Sequence, residues 1–219
     1  MRALFPILTC LGMLSGSAEA FSQNVQDIPP PKPPLVTAVP DKAEWTIKVE
    51  FPDAPKLPPD APKPRDWRYV EVQTTKVGAV KRDLITTREG LKQERWFVDS
   101  MLFWTDPKGE VSVSDMRAAE AADPDEDSPS VPSGFPGVGW LKLENYKDVV
   151  VFEKRLSYHY AKDEADAWID VETKLPLAYK RGKILYRYSF APSPSASLVL
   201  PPAYQTALDT VRRLIRTRP

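Results

Sequence analysis

The sequence is poor in the residues that most often perform chemistry in proteins. It has one cysteine, Cys10, and one histidine, His159, in 219 residues. Cys10 lies in an N-terminal segment that we expect to be removed, so the mature chain would have no disulfide, thiolate nucleophile or cysteine-ligated metal. A single histidine leaves a common zinc site without a second imidazole. We therefore expect no metal and no cofactor.

Signatures of nucleophilic and nucleotide-binding enzymes are also missing. The sequence contains neither G-x-S-x-G nor S-x-x-K, the patterns that place a serine nucleophile. The glycines at Gly134, Gly137 and Gly139 do not lead into the Gly-Lys-Ser/Thr ending of a phosphate-binding loop. The sequence therefore predicts a protein that is not an enzyme.

Neither sign of charge is in excess. The chain has 30 Lys and Arg and 30 Asp and Glu, which gives a formal net charge of zero. A general nucleic-acid binder needs a basic face that releases counterions from phosphates. We therefore expect no nucleic-acid partner.

Long apolar runs are absent as well, and the one short run lies at the N-terminus. Arg2 precedes an apolar segment from Leu4 to Leu14, and Ala18-Glu19-Ala20 supplies a small-x-small cleavage site. This pattern predicts a signal peptide over 1–20, cleaved after Ala20, and a periplasmic or secreted mature protein with no transmembrane segment. The alternative is a lipoprotein anchored through Cys10, for which Thr9 is a poor preceding residue.

Proline, in contrast, is abundant and clustered, with 24 residues in the chain. Residues 21–42 are proline-rich and predict an extended tether that lifts the domain away from a surface. A single domain is predicted over 43–219, with a second proline-rich loop at 52–64. An acidic loop is predicted at 115–133, because Asp123 to Asp127 is charged and followed by proline.

Alternation of apolar and polar residues dominates the domain and indicates short strands joined by tight turns. The expected strands cover 43–51, 67–75, 80–87, 91–98, 101–105, 110–114, 149–156, 167–172, 177–179, 184–190 and 198–200. Helical spacing follows Pro201-Pro202, where Tyr204, Leu208 and Leu214 share one face. The sequence predicts a mainly β protein: a strongly curved antiparallel sheet, an incomplete barrel of seven to ten strands, with a C-terminal α-helix packed on it.

The region from Asp163 to Phe190 resembles a known family. Trp168-Ile169-Asp170, then Thr173-Lys174-Leu175-Pro176-Leu177, a glycine turn and a strand ending Tyr186-Arg187-Tyr188-Ser189-Phe190 are similar to the late strands of LolA-like periplasmic proteins. That family includes the carrier of outer-membrane lipoproteins. The resemblance implies a curved, incomplete β-barrel that cradles apolar groups, with a lipid or lipoprotein acyl chain as the partner.

Aromatic side chains suggest where an apolar group would bind. The chain has six tryptophans, spread over nearly every expected strand. Most of them would fill the core between the sheet and the C-terminal helix. The walls of a ligand cavity are expected to include Trp96, Trp104, Trp140, Tyr186 and Tyr188.

Two polar groups offer alternatives. His159 has no second histidine and is expected to be an ordinary strand residue. Asp166 and Asp170 lie in a dense carboxylate group that is either a solvated sheet face or, as a minority alternative, the site of a carboxylate-based hydrolase.

The sequence thus predicts an exported, non-catalytic protein that binds an apolar group in the concavity of its sheet. The alternative is a tethered structural or interaction module of the cell envelope, which docks another envelope protein and has no small ligand.

Overall fold

A computed structural model describes residues 28–51, 69–106, 108–116, 134–194 and 197–216. The predicted signal peptide, the loop 52–64 and nearly all of the loop 115–133 lie outside the described residues, as does Trp67. These predictions stand as made.

The described residues form a mainly β protein with one long helix. The strands are β1 (Lys42–Glu50), β2 (Tyr69–Val77), β3 (Val80–Thr87), β4 (Lys92–Val98), β5 (Met101–Thr105), β6 (Val111–Asp115), β7 (Tyr146–Phe152), β8 (Arg155–Lys162), β9 (Ala165–Asp170), β10 (Pro176–Arg181) and β11 (Ile184–Ala191). A 3-10 turn, Leu143–Asn145, precedes β7, and helix α1 covers Pro202–Arg216. This confirms the predicted fold class, although the sheet has eleven strands and not the seven to ten that the sequence predicted.

All eleven strands belong to one antiparallel sheet that is not closed. Its order is β6-β5-β4-β3-β2-β1-β11-β10-β9-β8-β7. Each half is a meander of consecutive strands, and the halves join where β1 pairs with β11. Consequently β6 and β7, which follow one another in the chain, lie at opposite edges of the sheet.

Strand β1 shows why the two faces of this sheet differ. Trp45, Ile47 and Val49 alternate with polar residues and are buried, because side chains along a strand point to opposite faces in turn. In the antiparallel pairing with β11, Ile47 lies opposite Tyr188 and Val49 lies opposite Tyr186, so these side chains share one face of the sheet. We call this side of the sheet the inner face.

Two separate cores cover opposite faces of the sheet. The first core lies on the inner face of β1 and β8–β11, and it includes Trp45, Ile47 and Trp140. The second core lies on the outer face, where Trp96 and Phe103 pack against Tyr204 and Leu208 of α1. The register pairs Trp96 with Phe103, and Arg95 with Trp104, so Trp96 faces away from Trp104. Contrary to expectation, the aromatic residues therefore do not form one layer between sheet and helix: Trp96 lies beneath α1, whereas Trp45 and Trp140 belong to the first core.

Two irregular segments cover the first core. The plug, residues 134–141, places Phe135 edge-on against Trp45, with ring centroids 5.3 Å apart. Tyr188 donates a hydrogen bond to the Pro136 carbonyl. Gly137 has φ +72°, and a Cβ there would overlap the Tyr179 ring, so glycine is required for the plug to lie this close to the sheet.

The second segment is the strap, residues 28–41, which belongs to the predicted tether. Ile28, Leu35, Val36 and Val39 pack on the first core. Thr37 donates its backbone N–H to Lys174 O (3.0 Å) and its hydroxyl to Thr173 O (2.8 Å). The described part of the proline-rich segment therefore differs from a spacer that extends away from the domain. Its apolar side chains are partly buried against the first core.

Three details of the strand and helix predictions are corrected. The expected strand 149–156 contains a turn at Glu153 and Lys154, both with positive φ, which separates β7 from β8. Residues 198–200 are not a strand; Leu198 and Leu200 instead pack on the second core. Leu214 is 60% exposed, and it does not belong to the second core, which takes Tyr204, Ala207, Leu208 and Val211 from α1.

Candidate ligand cleft

The structure distributes the predicted cavity residues over three environments. Trp140, which belongs to the plug, lies in the first core together with Tyr186 and Tyr188. Trp96 lies in the second core on the opposite face. Trp104 belongs to neither core and borders an open cleft. The structure thus brings three of the five residues together and separates the other two.

The cleft at Trp104 arises from unequal strand pairing. Strand β4 pairs with β3 from Lys92 to Val98, but it pairs with β5 only from Arg95 onwards. The first residues of β4 therefore have no partner on the β5 side. A cleft remains open between these residues and the turn after β5.

The cleft has a volume of about 870 Å³. This lies within the range of small-molecule sites. Apolar and aromatic side chains supply much of its wall, with charged groups at the β4 end. The lining residues are Leu91, Lys92, Gln93, Glu94, Arg95, Leu102, Trp104, Thr105, Asp106, Met116 and Tyr204.

Helix α1 closes one end of the cleft. The hydroxyls of Tyr204 and Thr105 are hydrogen-bonded at 2.7 Å. The Tyr204 ring also packs near Phe103, with centroids 6.0 Å apart. Because Tyr204 is anchored at both its ring and its hydroxyl, this wall of the cleft is held in place.

A polar row leads from the sheet interior to the cleft. Thr74, Asp83, Arg95 and Trp104 are direct cross-strand partners in turn, so their side chains share the inner face. Asp83 is fully buried; its Oδ1 accepts a hydrogen bond from the Thr74 hydroxyl at 2.8 Å, and its Oδ2 lies 3.4 Å from Lys81 Nζ. Burial raises the pKa of Asp83, and Lys81, Thr74 and Arg95 oppose this shift, with Arg95 the weakest of the three.

The sequence did not identify Asp83 and Lys81 as buried residues, since charged residues at alternate strand positions usually indicate a solvated face. The position of Arg95 next to Trp104 could have been predicted from the sequence. The two-residue turn Asp99-Ser100 sets the hairpin register in which Arg95 pairs with Trp104.

The carboxylates considered for a hydrolase lie elsewhere and have structural partners. Asp170 bonds Arg155 Nη2 at 2.8 Å and accepts hydrogen bonds from Thr173. Asp166 lies 3.0 Å from His159 Nε2, on the outer face. Neither residue lines the Trp104 cleft or the smaller cleft beside Trp140.

His159 is a strand residue, as expected. Its Nδ1 lies 3.1 Å from Asp148, so the ring links β7, β8 and β9. It also stacks on Trp168, with centroids 5.6 Å apart. Within the part of the chain that the structure describes, no group of three or more His, Cys, Asp and Glu residues is arranged to hold a metal.

A second, smaller cleft of about 330 Å³ lies beside Trp140 and Tyr179. Its rim is formed by the charged turn between β8 and β9 and by the end of β10. Its lining is mixed, with Trp140, Tyr179 and Ala165 beside charged side chains. Trp140 thus borders this smaller cleft, while its indole N–H is bonded to Gly137 O at 3.0 Å.

Comparisons with known proteins give likenesses in structure but none in sequence. No protein-family model matches the chain, and no curated protein matches it in sequence. Among solved structures, the chain is similar to the Mycobacterium tuberculosis lipoprotein LppX, with a TM-score of 0.43 and 7% identity over 73% of this chain and 89% of that one. No helix among the described residues is long and apolar enough to cross a membrane. Membership of the LolA-like family stays a prediction.

Proposed function

We propose that this protein is a non-catalytic binding protein that takes up an apolar group in the Trp104 cleft. One observation carries this proposal: where β4 and β5 stop pairing, side chains from both faces of the sheet line a cleft that remains open. The strap and plug cover the inner face at the first core, but no residue of either lines the cleft. Trp104 and Leu102 lie there outside both cores.

Burial of a ligand's apolar part against these side chains would supply the binding free energy. The Thr105 and Tyr204 hydroxyls in the lining are hydrogen-bonded to each other, which suits recognition without covalent chemistry. The compartment in which such binding takes place follows from the predicted signal peptide and remains part of the proposal.

Titration with a neutral apolar fluorophore, N-phenyl-1-naphthylamine, tests this function. We expect saturable binding that Trp104→Ser weakens about tenfold, because a good aromatic contact contributes about 1.4 kcal/mol. Trp168→Ser is the matched control, since Trp168 is also half-buried but stacks against Phe152 and His159 on the outer face. Absence of binding, or equal losses in both variants, would overturn the proposal.

A second candidate function is docking of another envelope protein at the edge of the sheet. Edge strand β7 exposes Val151 by 59%, and the turn before it exposes Leu143 by 52%. An exposed strand edge with apolar side chains can pair with an extended segment of another chain. Crosslinking in an envelope fraction tests this: Val151→Lys should abolish a specific crosslinked product, and its persistence would exclude this surface.

A further inference from the structure

We propose that the Trp104 cleft binds an extended polypeptide segment, which pairs with β4 and places an apolar side chain against Trp104. This inference rests on the proposed function and deepens it by naming the ligand class. It is drawn from the start of β4, where residues 92–94 line the cleft. We call the side of these residues that faces away from β3 the open edge of β4.

The open edge has no neighbouring strand among the described residues. Residues 92–94 pair with β3, whereas the pairing of β4 with β5 ends at Arg95. In the order of the sheet, β3 and β5 are the two neighbours of β4. Where β5 stops pairing, the backbone of β4 therefore borders the cleft directly.

The direction of the backbone groups on the open edge follows from the hairpin of β3 and β4. The Thr87 N–H donates to Leu91 O at 2.9 Å, so the carbonyl of Leu91 points towards β3. Along an antiparallel strand, successive residues bond to the two neighbours in turn. Gln93 therefore bonds to β3, whereas Lys92 and Glu94 direct their backbone groups to the cleft side. An unpaired strand edge of this kind can accept the backbone of another chain.

The cleft also has a wall on each face of the sheet. Trp104 and Leu102 lie on the inner face, because they alternate along β5 with Phe103 of the second core. Tyr204 lies on the outer face, where its hydroxyl is bonded to Thr105. Successive side chains of an extended chain point to opposite sides. A peptide paired with the open edge would therefore place one side chain against Trp104 and the next towards Tyr204.

These two features assign separate roles in recognition. Main-chain hydrogen bonds to the open edge would contribute affinity for any extended peptide, while the Trp104 wall would select an apolar side chain at one position. The matching ligand is thus an extended segment of another protein that carries an apolar residue at the position facing Trp104.

Selection of short random peptides from a displayed library, with the purified protein as bait, tests this inference. We expect enriched peptides that N-phenyl-1-naphthylamine displaces, because both would occupy the Trp104 cleft. Trp104→Ser should weaken their binding about tenfold. Trp168→Ser is again the matched control, since Trp168 stacks against Phe152 and His159 on the outer face.

N-methylation separates strand pairing from burial of side chains alone. An enriched peptide is synthesised as two isomers, methylated on alternate amide nitrogens along one edge or along the other. Because the N–H groups of a strand alternate between its edges, one isomer keeps the donors that face β4 and the other loses them. We expect the first isomer to bind like the unmodified peptide and the second to bind at least about tenfold more weakly.

Lys92→Pro should weaken the unmodified peptide as well, because it removes a donor that points towards the cleft and that neither β3 nor β5 uses. If this variant loses its fold, the two isomers decide the question on the parent protein. Equal binding of the isomers, or enriched peptides that the fluorophore does not displace, would overturn this inference. A library that yields no peptide while the fluorophore binds would also overturn it, in favour of a small apolar ligand, and would leave the proposed function standing. Failure of peptides and fluorophore alike would overturn both.

Discussion

At the scale of single residues, burial and hydrogen bonding do not always coincide in this protein. Tyr160 and Tyr188 both belong to the first core. The Tyr188 hydroxyl bonds the plug at Pro136, whereas the Tyr160 hydroxyl is buried with no hydrogen-bond partner among the described residues. Burial raises the pKa of Tyr160 to about 12, with Tyr158 and Tyr146 adding to the shift.

These two tyrosines should respond in opposite ways to loss of the hydroxyl. Tyr188→Phe should lower the free energy of unfolding by about 1–3 kcal/mol, because it leaves the buried Pro136 carbonyl without this donor. Tyr160→Phe should be neutral or stabilising by about 1 kcal/mol, because it removes a buried polar group that is not bonded. Urea denaturation of both variants measures the difference; equal destabilisation would contradict the assignment.

Asp83 provides a prediction of pH dependence. Its pKa is raised above the ordinary value of 3.8, mainly by burial, so the native state binds more protons than the unfolded chain above that pH. The contribution of Asp83 to the free energy of unfolding is thus fully present below pH 3.8 and is lost as the pH rises through the raised pKa.

Asp83→Asn removes this titration. The free energy of unfolding of the parent protein, minus that of the variant, should therefore decrease as the pH rises from about 3 to about 7. Denaturation at a series of pH values measures it, with Glu144→Gln, at an exposed position, as the control. A difference that stays constant or increases with pH would show that Asp83 does not titrate in this way.

At the scale of secondary-structure elements, α1 packs on the second core through Tyr204, Ala207, Leu208 and Val211. Leu208 is 3% exposed in the second core, whereas Leu214 is 60% exposed near the end of the helix. The same residue type at two depths allows packing to be separated from helix propensity, since Leu and Ala have similar propensities.

Leu208→Ala should lower the free energy of unfolding by about 2–5 kcal/mol through lost burial and a cavity. Leu214→Ala should change it by less than about 0.5 kcal/mol. Thermal or urea denaturation followed by circular dichroism gives both values. Similar effects of the two substitutions would mean that α1 does not pack on the sheet through this face.

At the scale of the whole molecule, one sheet connects two cores that lie on its opposite faces. All eleven strands, from β6 at one edge of the sheet to β7 at the other, are hydrogen-bonded to their neighbours. Strands β1 and β11 join the two meanders. The strands of one core are thus linked to those of the other by a continuous ladder of backbone hydrogen bonds.

We therefore expect a single cooperative unfolding transition. Tryptophan fluorescence, to which Trp45, Trp96 and Trp140 of the two cores contribute, and far-ultraviolet circular dichroism, which reports on the sheet, should give the same midpoint. Ile47→Val in the first core and Leu208→Ala in the second should each shift both signals together. Two separate transitions would show instead that the meanders fold independently.

Much of the fold could be predicted from the sequence, because strands and helices are local patterns. Alternation in β1 and helical spacing in α1 each depend on a few neighbouring residues, and both were predicted correctly. The turn at Glu153 and Lys154 was missed because it contains neither glycine nor proline, so nothing local marked the end of β7.

The candidate site could be predicted only in part. Aromatic residues on strands indicate buried faces. The alternation of side chains along a strand, however, does not reveal which face is covered by segments that lie far away in the sequence. Trp96, Trp104 and Trp140 consequently belong to different surroundings, decided by α1, by unequal pairing of β4 and β5, and by the plug.

The sequence by itself determined the β class, the C-terminal helix and the shortage of catalytic residues, because these follow from composition and short-range spacing. Only the tertiary structure decided that the strap lies on the sheet, that Asp83 and Lys81 are buried, and that Trp104 faces an open cleft. Each of these depends on residues far apart in the chain being brought into contact, and the free energy of such contacts is not encoded in any short stretch.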